Sequence, residues 1–233
     1  MIARMEGGRA AWRLVGVGAV MTMLAGVGAS RVVTAQEPVG ERSLKRPRTW
    51  QIQGVEVLPV RGNVYMLAGA GANVTVQAGP EGLLLVDTGG PGDTTRVMAA
   101  LHEVFPDARV RTIINTTSDA DHVGGNAAVV EASGGARGTA SDSTPGEPNQ
   151  NLGVLVVSQE AALKQMSEPA AGRSALPTDG LPGSTFFTKK KEFFSNGEVV
   201  QILSHPGHAD GDVVVFFRAS EVISAGDAWT PTR

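Results

Sequence analysis

The chain has no cysteine among its 233 residues, which excludes a disulfide framework and any cysteine-ligated zinc. A metal ion would have to take His, Asp or Glu, a harder donor set that suits zinc, iron or manganese. Blocks of like charge are missing as well. The 20 basic and 23 acidic residues are interspersed around a formal charge of -3, so the sequence carries no electrostatic footprint for nucleic acid or for an anionic membrane surface. It contains no strong internal repeat. Histidine is scarce, four in all, and three of the four fall in two short loops.

What is present begins with an export signal. Arg4, Arg9 and Arg13 precede the apolar run LVGVGAVMTMLAGVGA (14–29), and Val33 and Ala35 offer small residues for cleavage before Gln36. An uncleaved anchor is the alternative, but the run is slightly short of the roughly 20 residues of a full span. The expectation is therefore a cleaved signal peptide over 1–35, a periplasmic or extracellular product, and no stable membrane insertion after cleavage. The arginines are isolated, which favours general secretion over the twin-arginine route. Residues 36–50, polar and with two prolines, read as a flexible lead-in. One domain over 51–233 follows, from a chain 42% hydrophobic and 18% charged, enough to bury a core.

Within that domain, 55–60, 63–69, 73–79 and 82–89 are short apolar or β-branched runs broken by RG, AGA and PEG, the pattern of a β-meander. At 92–105 the period changes to 3.6, with Val97, Met98, Leu101, Val104 and Phe105 on one face and Asp93 or Thr94 available as cap. A strand over 110–116, a short helix over 126–132 and a long Gly/Ser/Pro-rich loop over 133–151 come next. The second half has a strand at 153–158, a helix at 159–167, a Pro/Gly loop at 168–184, and strands near 184–190, 192–203, 211–217 and 221–226. Alternation of this kind favours a layered α/β architecture with helices outside packed sheets.

Four strand ends carry acidic or imidazole residues, which brings those groups to one rim. They are Asp87, the cluster Asp119, Asp121 and His122 in NTTSDADHVGGN (115–126), the loop SHPGHADGD (204–212), and Asp227. Asp121 and His122, adjacent on a tight loop, point in divergent directions and could serve two metal ions. Asp121 could equally cap a helix beginning near Gly124 or Asn126. His205 and His208, followed by Asp210 and Asp212, form either a ligand loop or a solvated turn. His102, inside an amphipathic helix, is assigned no role.

These stretches, GLLLVDTGG, TIINTTSDADHVGGN, HPGHADGDVVVFF and VISAGDAW, resemble in order and spacing the metallo-β-lactamase-fold hydrolase superfamily, over roughly residues 53 to 229. The resemblance implies an αβ/βα four-layer sandwich with a metal site along one edge. The superfamily's H-x-H-x-D-H falls on Thr117, Asp119, Asp121 and His122, a variant T-x-D-x-D-H similar to that of an exported bacterial branch. By the same resemblance His208 is the third metal histidine, Asp227 the bridging carboxylate and Asp87 a support behind the ligands. Thr117 cannot replace an imidazole as a strong ligand and joins Asp87 in support. Asp119, Asp121, His122, His208 and Asp227 are then the metal set, with Asp121 also the catalytic residue. The superfamily's closing histidine has no counterpart, which implies a C-terminally incomplete domain: either an incomplete sequence, or a truncated protein that leaves one sheet edge and an apolar face uncovered. The implied function is an exported hydrolase with one or two divalent ions, zinc foremost and iron or manganese as alternatives. Its metal-bound hydroxide would attack an ester, amide or lactam of a small-molecule substrate. Two alternatives stand beside it: a metal-poor binding protein on the same scaffold, and a mononuclear-iron oxidoreductase.

Overall fold

The computed structural model describes residues 48–135, 137–138, 153–168 and 174–229. The expected signal segment, nearly all of the lead-in and most of the 133–151 loop lie outside them. The described residues fall in one compact unit, Lys45–Arg233. Five strands form an antiparallel meander: β1 (Trp50–Ile52), β2 (Val55–Arg61), β3 (Val64–Ala68), β4 (Val74–Gly79) and β5 (Gly82–Val86). β5 then pairs in parallel with β6 (Val110–Ile114), and β6 with β8 (Val154–Gln159). Both β7 (Arg137–Gly138) and β9 (Ser184–Phe186) add to β8 in parallel. The second sheet is antiparallel throughout, in the order β10 (Lys190–Ser195), β11 (Glu198–Ser204), β12 (Val213–Phe217) and β13 (Val222–Ser224). The helices are α1 (Thr94–Val104), α2 (Ala120–Val123), α3 (Asn126–Ala132) and α4 (Glu160–Ser167).

β5 (GLLLV) is a continuous apolar run, and β6 (VRTII) and β8 (VLVVSQ) are mostly apolar, because both of their faces are covered. Leu83, Leu85, Ile113 and Val156 pack with Val97 and Leu101 of α1 and with Val129 and Val130 of α3. Leu84, Val86, Ile114 and Val157 face the other way and pack with Val200, Ile202, Val213, Val215 and Phe217 of the second sheet. Each such side chain contributes about 1.5–3 kcal/mol on burial. Polar contacts also join the sheets, among them Gln77 Nε2 to Ser195 O at 3.2 Å. Thr75 Oγ1 lies 2.9 Å from Ser224 Oγ, and Gln77 Nε2 donates to Glu198 Oε1 at 3.0 Å. Glu198 also accepts from the Ala219 and Ser220 amides and the Ser220 hydroxyl.

The helical, first-sheet and second-sheet layers of the expected sandwich are thus present. On the outer face of the second sheet Phe194 and Ile223 are each 64% exposed, and among the described residues no further layer covers that face. Asp93 occupies the N-cap position of α1 but makes no capping bond; its carboxylate pairs with Arg96 instead. The stretch 115–126 contains the single turn α2, with Asp119 at its N-cap. Because Gly125 precedes α3 at the N-cap position, Asp121 does not cap that helix.

Candidate functional site

β5 delivers Asp87 to the rim in an uncommon backbone conformation, φ +64°. Non-glycine residues in the left-handed region carry strain of about 1–3 kcal/mol and concentrate at functional sites. The residue is 1% exposed, and its carboxylate is fully engaged. Its Oδ1 accepts from the Thr116 amide at 2.8 Å and its Oδ2 from the Thr116 hydroxyl at 2.5 Å. The same Oδ2 is 2.8 Å from His122 Nδ1. The opposite ring nitrogen, Nε2, lies 3.2 Å from Asp227 Oδ1. Burial of the ring opposes its charge, yet the hydrogen bond to Asp87 and the carboxylates of Asp87, Asp227 and Asp121 outweigh it, and the His122 pKa is raised to about 9.

A second imidazole–carboxylate pair stands beside the first. His208 Nε2 is 3.2 Å from Asp119 Oδ2, with the histidine well exposed and the aspartate largely covered. Ser118 donates to Gln165 Oε1 at 2.6 Å, which ties the Asp119 loop to α4. Asp121 is exposed on α2 and belongs to neither pair; it acts on His122 through its charge. Thr117 is fully buried, and its hydroxyl has no hydrogen-bond partner. His205 and Asp210 are exposed. Asp227 sits on the turn Gly226–Ala228, whose approach requires glycine: φ at Gly226 is +51°, and a Cβ there would lie 2.3 Å from Thr116 Oγ1.

Sequence reading did not single out the network behind these pairs. Asn115 and Asn126 exchange amide hydrogen bonds at 3.1 and 2.9 Å, and Asn126 also donates to Gly180 O at 2.9 Å. Thr88 donates its hydroxyl to Asn126 Oδ1 and its amide to His122 O. All three side chains are fully buried, so the ends of β5 and β6, the start of α3 and the Thr178–Gly180 turn are fixed together. The asparagine that closes DHVGGN was the available signal.

Tetrahedral coordination with bonds of about 2.0–2.1 Å sets neighbouring ligand atoms roughly 3.3 Å apart. Both imidazole–carboxylate contacts, at 3.2 Å, match that edge. Among the described residues no three His, Asp or Glu side chains gather into one group that could hold an ion. The residues thus suit a divalent cation in donor chemistry, and they stand as two pairs rather than one set.

A family model described as the metallo-β-lactamase superfamily matches residues 67–229. No curated protein matches the chain in sequence. Among solved structures, it is similar to a metallo-β-lactamase from Cronobacter sakazakii carrying a mutated HARLDQ motif, at 18% identity and TM-score 0.53, with 72% of this chain and 61% of that one covered. It is also similar to a β-lactamase from Chitinophaga pinensis, at 19% identity and TM-score 0.54, covering 72% and 57%. A subclass B3 metallo-β-lactamase from a soil metagenome library gives 18% identity and TM-score 0.53, covering 70% and 57%. At these identities the likeness is one of fold, and the chain spans 57% to 61% of the length of these structures.

Proposed function

The chain belongs to the metallo-β-lactamase superfamily, and on that premise we propose that it is an exported metal-dependent hydrolase acting on an ester, amide or lactam of a small molecule. The observation that carries this reading is the relay from buried Asp87 through buried His122 to the exposed Asp227. One imidazole nitrogen held by a sealed carboxylate, with the other turned toward a more exposed one, is how proteins orient a histidine for a cation. His122 and Asp227, with Asp119 and His208, would hold one or two divalent ions, zinc foremost and iron or manganese as alternatives. When bound, such an ion supplies Lewis acidity toward a carbonyl oxygen and a nucleophile at neutral pH.

Asp87 retains the Nδ1 proton of His122, which fixes the tautomer and leaves Nε2 as the donor atom. His122 Nε2 would hold a cation only after giving up its own proton, so affinity for the cation would rise with pH. Asp121, whose charge already reaches His122, is the carboxylate we assign to orient the attacking water and to receive its proton. The similar solved structures are named as β-lactamases, which places a lactam first in the substrate panel. A second reading, a metal-poor binding protein, is favoured by the buried Thr117 hydroxyl and by the lack of a three-donor group among the described residues.

Metal analysis of the zinc-loaded chain, together with assays on a chromogenic cephalosporin, an aryl ester and a lactone, separates the two. One or two zinc ions per chain, with turnover lost in Asp227→Ala, support the hydrolase. A metal-free, inactive chain supports the binding protein, and a single retained iron supports oxidation chemistry.

A further inference from the structure

Two side-chain oxygens near the rim, Thr117 Oγ1 and Asp212 Oδ1, have no hydrogen-bond partner although both are sealed from solvent. Their residues are 0% and 1% exposed. Buried polar atoms are nearly always paired, with protein or with ordered water. These two also belong to residues that meet. Val213 N donates to Thr116 O at 2.9 Å, and β6 runs toward the rim while β12 runs away from it. Thr117 and Asp212 complete the two peptide groups that this bond joins, so their backbones are neighbours across it.

Every other polar atom of Asp212 is used to close one loop. Its Oδ2 accepts from the Ala209 amide at 2.7 Å, its amide donates to Ala209 O at 3.2 Å, and its carbonyl accepts from the His205 amide at 2.9 Å. That loop carries His208. Thr117, for its part, lies between Thr116, which holds Asp87, and Asp119, which meets His208. A carboxylate oxygen only accepts, while a hydroxyl both donates and accepts. The small species that satisfies both is one with two hydrogens to give, and a hard cation would demand about six oxygens, more than the pair offers.

We propose that Thr117 and Asp212 enclose one tightly held water molecule that bolts the loop after β6 to the loop after β11. Thr117 is then a structural replacement for an imidazole rather than a vacated ligand position. The existence of this water is independent of the hydrolase reading; its effect on the His208–Asp119 pair rests on that reading.

The test uses the full chain. Thr117→Val removes the hydroxyl at constant shape and lowers the thermal midpoint by roughly 2–4 °C, while Thr117→Ser restores most of the loss. A crystal structure at about 1.5 Å shows one ordered water within about 3.2 Å of both oxygens. An equal or higher midpoint in Thr117→Val overturns the proposal, because deleting an unpaired buried hydroxyl is neutral or stabilising. So does density showing a direct Thr117–Asp212 bond or no water, a result that stands even if the valine variant fails to fold. Zinc content of the unaltered chain reports separately on the hydrolase: a metal-free protein that keeps the water sinks that reading alone.

Discussion

Asp87→Asn removes one charge and little else. The left-handed backbone at φ +64° is one that asparagine also tolerates, and the amide oxygen can still accept from the Thr116 amide. What disappears is the carboxylate facing His122 Nδ1. Burial opposes the charge on that ring, and the hydrogen bond and charge of Asp87 do most to outweigh it. The step from 6.5 to about 9 is worth roughly 3 kcal/mol. A raised folded pKa means that this stability is complete below the unfolded value of 6.5 and is lost as pH rises through about 9. Chelator-treated Asp87→Asn is therefore less stable by about 3 kcal/mol at about pH 6, with the gap closing by about pH 9.5. Denaturant unfolding at the two pH values measures the gap, and NMR titration of the His122 ring measures the pKa directly. If the ring in the variant still titrates near 9, Asp227 and Asp121 dominate, and the relay argument is refuted.

Gly226→Ala drives a Cβ against the Thr116 hydroxyl, so it costs about 1–3 kcal/mol and lowers zinc content; unchanged melting and metal content would contradict the close approach. Glu198→Gln acts at acid pH. Burial opposes the Glu198 charge, but hydrogen bonds from Ser220, Gln77 and Ala219 outweigh it and hold the carboxyl below its usual range. That stability is present above the unfolded pKa and lost as pH falls through the folded one, so the variant loses about 1–3 kcal/mol near neutrality and has a flatter acid-unfolding curve. Superimposable curves by circular dichroism would sink this account. His208→Ala lowers zinc content more than Asp121→Ala, because only His208 belongs to a donor pair; the reverse order, by elemental analysis, would remove the pairing from the site.

The strands and helices were legible because their periods are clean. The change from alternation to a 3.6 spacing marks α1, and the unbroken run of β5 is that of a strand covered on both faces by Val97 and Leu101 on one side and Val200 and Phe217 on the other. The rim was legible for the same reason, since acidic residues follow directly on apolar runs. How the rim groups combine was not. Ser118 and Gln165 are 47 positions apart, and no local pattern announces that they meet. The left-handed turn at Asp87 is likewise invisible in LLLVD, because aspartate is compatible with several backbone regions. Adjacency on a tight loop suggested that Asp121 and His122 point in divergent directions, and α2 leaves Asp121 exposed while His122 is buried.

Polar contacts between the sheets include ones that join residues 149 and 121 positions apart. Contacts so remote in sequence form late and slow folding, while the β1–β5 meander closes through neighbours. A chain caught between these stages has Leu84, Val86, Ile114 and Val157 facing water with nothing yet to meet them. Such intermediates self-associate. Recovery of native protein from denaturant is then governed by how quickly the second sheet arrives rather than by the final stability, and yields fall as refolding concentration rises.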